Sequence, residues 1–113
     1  MNLETSLEMT ENGVAKITLS GKLDAGTTGQ FQAHIEEAVE NKVKRIALLL
    51  EGLSFMASAG LRMLVFAKQK LGSSVDIYVI AAQEQVVETI EMTGLNHSVI
   101  MRTSYDAAEI EEI

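Results

Sequence analysis

At 113 residues and a formal net charge of −7, the chain can bury a hydrophobic core without staples, and its charge argues against nucleic acid, whose phosphates need clustered Lys and Arg. It has no cysteine, which excludes a disulfide framework, a thiolate metal site and a cysteine nucleophile. No run approaches the roughly 18 apolar residues of a membrane helix, and Met1-Asn2-Leu3-Glu4-Thr5 lacks the basic start and apolar run of a signal peptide, so the expected location is cytoplasmic, without membrane insertion.

Leu3, Thr5, Leu7 and Met9 share one parity, as in a strand with one buried face. Asn12-Gly13 then signals a hairpin, and Ala15, Ile17 and Leu19 continue the alternation on a returning strand from Val14 to Ser20. After Gly21 the period changes: Phe31, Ile35, Ala38 and Val39 mark one face of a helix, with Thr27 and Gln30 spaced as a capping box. Arg45 to Leu50 is a nearly unbroken apolar run, the mark of a strand covered on both faces. Leu61, Leu64, Val65 and Leu71 form the stripe of a second helix, ended by Gly72-Ser73-Ser74. Val75 to Ala81 reads as another buried strand, followed by a helix around Gln83 to Met92, with Gly94 at the place of a left-handed cap. A short strand over Val99 to Met101 and a last helix from Tyr105, capped by Ser104, complete the order β-β-α-β-α-β-α-β-α. That order predicts an α/β fold with a mixed, mostly parallel sheet and an antiparallel N-terminal strand at its edge. The exposed hairpin edge leaves a monomer or a weak dimer open.

Catalytic signals are thin. Gly21, Gly26 and Gly29 lack the dinucleotide-loop spacing, and Ser58 is not in Gly-x-Ser-x-Gly because Met56 and Gly60 flank it. His97 reads as an exposed loop residue, and His34, beside Phe31 and Ile35, as facing solvent or the rim. Glu36-Glu37 and Glu111-Glu112 are neighbours on helices and point in different directions. Lys42-Val43-Lys44-Arg45 reads as a solvated turn, and Glu109, Glu111 and Glu112 as the wet face of a terminal helix. The expectation is a protein that is not an enzyme, with no cofactor and no metal site.

Ser58 stands apart by position. Phe55 and Met56 are expected to close the core after the strand, and Gly60-Leu61 to open the helix, placing Ser58 in its first turn. There it is an N-cap, worth about 1 kcal/mol, or a modifiable hydroxyl, and the two roles are compatible. A phosphate would add about −1.5 to −2 charges at pH 7, at a helix start whose dipole and unpaired N–H groups favour anions. Ala57, Ala59 and Gly60 leave the hydroxyl open to another protein's active site.

Leu19-Ser20-Gly21-Lys22-Leu23-Asp24, Ile46-Ala47-Leu48-Leu49-Leu50 and the segment Leu53 to Leu64 together resemble the bacterial anti-sigma-factor antagonists of the STAS-domain family. That family's pattern is an apolar strand, a Leu-Ser-Phe/Tyr-Met/Ile step and then Asp-Ser-Ser/Thr-Gly-Leu. Met92-Thr93-Gly94-Leu95 is similar to its late apolar-x-Gly-Leu step. The resemblance spans essentially the whole chain and implies one STAS domain over residues 1–113, acting as a partner-switching regulator of transcription. It implies binding to an anti-sigma factor that is also a serine kinase, phosphorylation at the position of Ser58, and reversal by a metal-dependent serine phosphatase. The implied partner-binding set is Asp24, Ala25, Gly26 and Thr27 in one loop, with Ala57, Ser58, Ala59, Gly60 and Arg62, and Asp24 near Ser58 at one end of the sheet. Ala57 replaces the family's aspartate and Ala59 its Ser/Thr, although Ala59-Gly60-Leu61-Arg62 is similar to a branch reading Ser-Ser-Ala-Gly-Leu-Arg. Ala57 removes a charge and an acceptor but leaves the phosphoacceptor, and a kinase supplies its own base. It also keeps open a non-switching STAS subunit, in a regulatory scaffold or a lipid-transport ABC system. A third reading is a small-molecule or nucleotide crevice at the carboxyl ends of the parallel strands, lined by Asp24, Ser58 and the first turn of the second helix.

Overall fold

A computed structural model describes residues 3–112. The first hairpin pairs β1 (Leu3–Met9) with β2 (Val14–Leu23) antiparallel, Met9 opposite Ala15 and Leu3 opposite Gly21. Gly13 takes φ +85° in the turn, a left-handed conformation that glycine adopts without steric cost. Then follow α1 (Thr28–Glu40), β3 (Arg45–Leu49), β4 (Leu53–Met56), α2 (Ser58–Leu71), β5 (Asp76–Ile80), α3 (Glu84–Met92), a 3₁₀ turn (Leu95–His97), β6 (Ile100–Arg102) and α4 (Ala107–Ile110).

The sheet runs β1-β2-β3-β5-β6, with β1 antiparallel at an edge and the other pairs parallel. This is the mixed, mostly parallel α/β sheet the pattern predicts. One strand was missing from that prediction. β2 continues past Ser20 to Leu23, and β4 pairs with this extension, Gly21 opposite Leu53 and Leu23 opposite Met56. The order is therefore β-β-α-β-β-α-β-α-β-α. From Thr18 to Gly21 β2 advances three residues while its partner advances four, from Leu49 to Leu53, and the register shifts again between Gly21 and Lys22. These irregularities bend the chain out of β3 and hide β4 from any alternation pattern.

Alternate residues of the sheet serve two cores. Ile17, Leu19, Ile46, Leu48, Ile77 and Val79 meet α1, α2 and α3 through Phe31, Ile35, Leu64, Val86 and Ile90. Each fully buried aliphatic or aromatic side chain of this kind contributes about 1.5–3 kcal/mol. The α1 stripe is as predicted, with Val39 half-buried. In α2 the buried stripe is Gly60, Leu64 and Ala67, so Val65, expected inside, falls one residue beyond it and is exposed.

The opposite face carries Val14, Ala47, Tyr78 and Ile80, covered by Tyr105 and by Ile110 of α4. Arg45 donates to the Glu109 and Ile110 carbonyls, Arg102 pairs with Glu109, and the Tyr105 hydroxyl donates to Glu111. Glu109 and Glu111, expected on a wet face, are thus half-buried and engaged, as is Arg45 of the basic run. Asp106, not Ser104, caps α4, its Oδ1 accepting from the Ala108 N–H at 3.0 Å. Gly94 is left-handed at φ +79° and precedes the turn that holds the exposed His97. Among the described residues no helix is long and apolar enough to cross a membrane.

Candidate functional site

The pairing of β2 with β4 delivers two segments to one end of the sheet. Leu23 lies opposite Met56, and the Ala57 N–H donates to the Leu23 carbonyl at 2.9 Å. Asp24 and Ser58 are the residues that follow on each side of this tie. The sequence-predicted proximity of the β2–α1 loop to the start of α2 is therefore present in the backbone.

The loop is a closed hydrogen-bonded turn. The Asp24 carbonyl accepts from the Thr27 and Thr28 N–H groups, and its Oδ1 accepts from the Gly26 N–H at 2.9 Å. Thr27 is buried at 8% exposure. Its hydroxyl accepts from the Asp24 N–H at 2.9 Å and donates to the Lys22 carbonyl at 3.0 Å. The capping box expected of Thr27 and Gln30 does not form, because the loop claims the hydroxyl that a cap would need. A buried polar group left without a partner is costly, and here the loop's own backbone satisfies it.

At the start of α2 the capping position belongs to Ala57, in extended conformation at φ −87°, ψ 175°, with no side-chain cap. Its carbonyl accepts from the Gly60 and Leu61 N–H groups at 2.9 and 3.3 Å. Ser58 is the first helical residue, is exposed, and its hydroxyl makes no hydrogen bond among the described residues. The N-cap reading of Ser58 is thereby corrected. The first turn holds no acidic side chain, so nothing there offsets the positive end of the helix dipole.

Gly60 explains how closely this turn sits on the sheet. A Cβ there would lie 2.8 Å from Leu23 Cδ2 and 2.8 Å from Met56 Cγ, inside van der Waals contact. Leu23 and Met56 are buried, but Phe55, expected to close the core with Met56, is 38% exposed. The bulge, with Ser54 as its one extra residue, turns it outward, and Ser54 donates its hydroxyl to the Gly21 carbonyl at 3.0 Å.

Of the residues singled out from sequence, Ala25, Gly26, Ser58 and Arg62 are exposed, and Asp24 and Ala57 are half-buried. Thr27, Ala59 and Gly60 are buried and build the site from beneath. Sequence reasoning missed the outward Phe55 and Val65 and the packing role of Leu23. Only the small residue at Gly60 signalled the last. A cleft of about 610 Å³ lies elsewhere, lined by Thr18, Ser20, Leu49, Ile80 and Tyr105 among others. Neither Asp24 nor Ser58 lines it.

The family model of the STAS domain matches residues 7–108. The chain belongs to the STAS domain family. The anti-sigma-F factor antagonist RsfB of Mycobacterium tuberculosis is 29% identical over 97 residues, which are 85% of this STAS protein and 80% of the relative. A crystal structure of an anti-sigma factor antagonist from Mycobacterium paratuberculosis superposes with a TM-score of 0.85 at 25% identity, covering 96% of this chain and 92% of that one. The Bacillus cell fate determinant SpoIIAA in its phosphorylated form superposes with a TM-score of 0.72 at 24% identity, over 94% and 97% of the two chains. That last likeness speaks for the shared STAS fold.

Proposed function

We propose that this STAS protein is an anti-sigma-factor antagonist, a single regulatory domain over residues 1–113 that works in the cytoplasm by switching partners. In this reading it binds an anti-sigma factor that is a serine kinase, through the rim formed by Asp24, Ala25 and Gly26 with Ala57, Ser58 and Arg62. The kinase transfers the γ-phosphoryl group of ATP to Ser58 Oγ; the hydroxyl proton goes to the kinase's base and ADP leaves. A metal-dependent serine phosphatase directs water at the phosphorus and returns the hydroxyl and inorganic phosphate.

The observation that carries the reading is Ser58 itself: exposed, first in α2, and free of the capping bond that would make it structural. The names of the mycobacterial relatives supply the class of partner. Incubation with the cognate kinase and ATP should add one phosphoryl group, mapped to Ser58. Ser58→Asp should fold and bind the kinase more weakly, while Ser58→Ala should bind without being switched. No mass gain, or a gain mapped to Ser54 or Thr103, removes Ser58 from this role.

Ala57, at the position of the family's aspartate, favours a second reading: a STAS subunit that does not switch, in a regulatory scaffold or beside a lipid-transport ATPase. Co-purification from the native host with such an ATPase, and with no regulatory kinase, would select it.

A further inference from the structure

α2 has an unusual charge content for this protein. The chain's net charge is −7, yet Ser58–Leu71 contains Arg62, Lys68 and Lys70 and no acidic residue. Two of the three cations are engaged: Lys68 donates to the Val75 carbonyl at 3.3 Å, and the Lys70 ammonium lies 5.7 Å from the centre of the Phe66 ring. Arg62 is exposed and has no hydrogen bond or ion pair among the described residues. It stands four residues after Ser58.

On a helix, residues four apart are neighbours on one face, and an anion placed N-terminal to its cation is the favourable orientation. The exposed residues Ser58, Arg62, Val65 and Gln69, spaced four, three and four apart, run down the outer side of α2. A phosphoserine offers three acceptor oxygens, and a guanidinium presents paired N–H donors that match them. We propose that Arg62 is the counter-ion of phosphorylated Ser58: the phosphate, once formed, is held by the protein's own arginine. The proposal rests on the phosphoacceptor reading of Ser58.

The pairing changes what a partner meets. Unmodified, the Ser58–Arg62 face carries one free positive charge. With about −1.5 to −2 added at pH 7, its charge becomes about −0.5 to −1, and the cation is no longer free.

The test places phosphoserine at position 58 by translation with an expanded genetic code, so no kinase is needed, and follows the second phosphate ionisation by ³¹P NMR. In the native background the pKa should lie roughly 0.15–0.4 pH units below that of the Arg62→Gln variant, the size expected of an exposed pair four residues apart. Arg62→Lys should fall between them, because an ammonium keeps the charge and loses the fork. The other charged groups on elements packed at this end, Lys22 and Asp24 beside the tie and His34, Glu36, Glu37 and Glu40 on α1, are common to all three chains. Equal values in all three overturn the pairing. Separately, failure of the cognate kinase to modify Ser58 of the unmodified chain overturns the functional reading, and with it the regulatory role of the pair, whatever the titration gives.

Discussion

Gly60→Ala tests whether the start of α2 is as tightly seated as the structure has it. On an unencumbered helix the change would stabilise by about 1 kcal/mol, because alanine loses less backbone entropy than glycine. At this position the new methyl group would stand 2.8 Å from both Leu23 Cδ2 and Met56 Cγ and 3.0 Å from Leu23 Cγ. Leu23 is fully buried and Met56 is 3% exposed, so neither moves aside without disturbing its own neighbours. Overpacking of this kind costs about 1–3 kcal/mol. Set against the propensity gain, the expected net loss is about 1 kcal/mol, read as a lower urea midpoint at unchanged slope and a melting temperature lower by roughly 4 °C. A double-mutant cycle sharpens the test. Leu23→Ala alone should cost about 2–5 kcal/mol, but less in the Gly60→Ala background, where the methyl fills part of the void, with a coupling of about 1 kcal/mol. Stabilisation of Gly60→Ala by about 1 kcal/mol, or additivity within about 0.5 kcal/mol, would refute the close approach.

Ser58→Ala should change the unfolding free energy from urea denaturation by no more than about 0.5 kcal/mol, since the hydroxyl makes no bond; a loss near 1 kcal/mol would restore it as a cap. Thr27→Val keeps the shape but strands the Asp24 N–H and Lys22 carbonyl, so it should cost about 1–3 kcal/mol by urea denaturation, and a neutral result would contradict the closed-loop geometry. Tyr105 has its pKa raised from 10.0 by desolvation, then by its hydrogen bond to Glu111. The stabilisation linked to it is therefore complete below pH 10 and declines as pH rises above that value, so Tyr105→Phe should lose less stability than the native chain between pH 9 and about 11 in thermal melts. Glu109 has its pKa lowered from 4.5 by its hydrogen bond to Arg102. The stability it contributes is present above that value and lost as pH falls, so Glu109→Gln should shallow the acid limb slightly at low salt and not at all at high salt.

Much of this architecture is legible in the chain because its strands and helices obey simple periods. Phe31, Ile35 and Ala38 are buried as their spacing dictates, and Asn12-Gly13 makes the turn it advertises. β4 is not legible for a physical reason: Leu53 and Met56 are buried while Ser54 and Phe55 both point out, a pattern produced by the bulge and matching neither strand nor helix. Thr27 and Gln30 spell a capping box, but the Asp24 amide and the Lys22 carbonyl, brought close by the turn, compete for the same hydroxyl and win. Here a capping motif loses to partners only three and five residues away, because they are backbone groups that would otherwise be left unpaired in the loop. At the candidate site, the position of Ser58 at the start of α2 could be read from Gly60-Leu61 and the following stripe. Whether it capped the helix could not, since that depends on a one-residue difference in where the helix begins.

In our reading Ser58 is a switchable hydroxyl and not a structural one. Intact-mass analysis and phosphosite mapping of the native chain after incubation with its cognate anti-sigma kinase and ATP tests it most directly. One added phosphoryl group is expected on Ser58, with none on the Ser58→Ala variant and release of the modified chain from the kinase. An unmodified chain that stays bound, or a phosphate on any other residue, would contradict it.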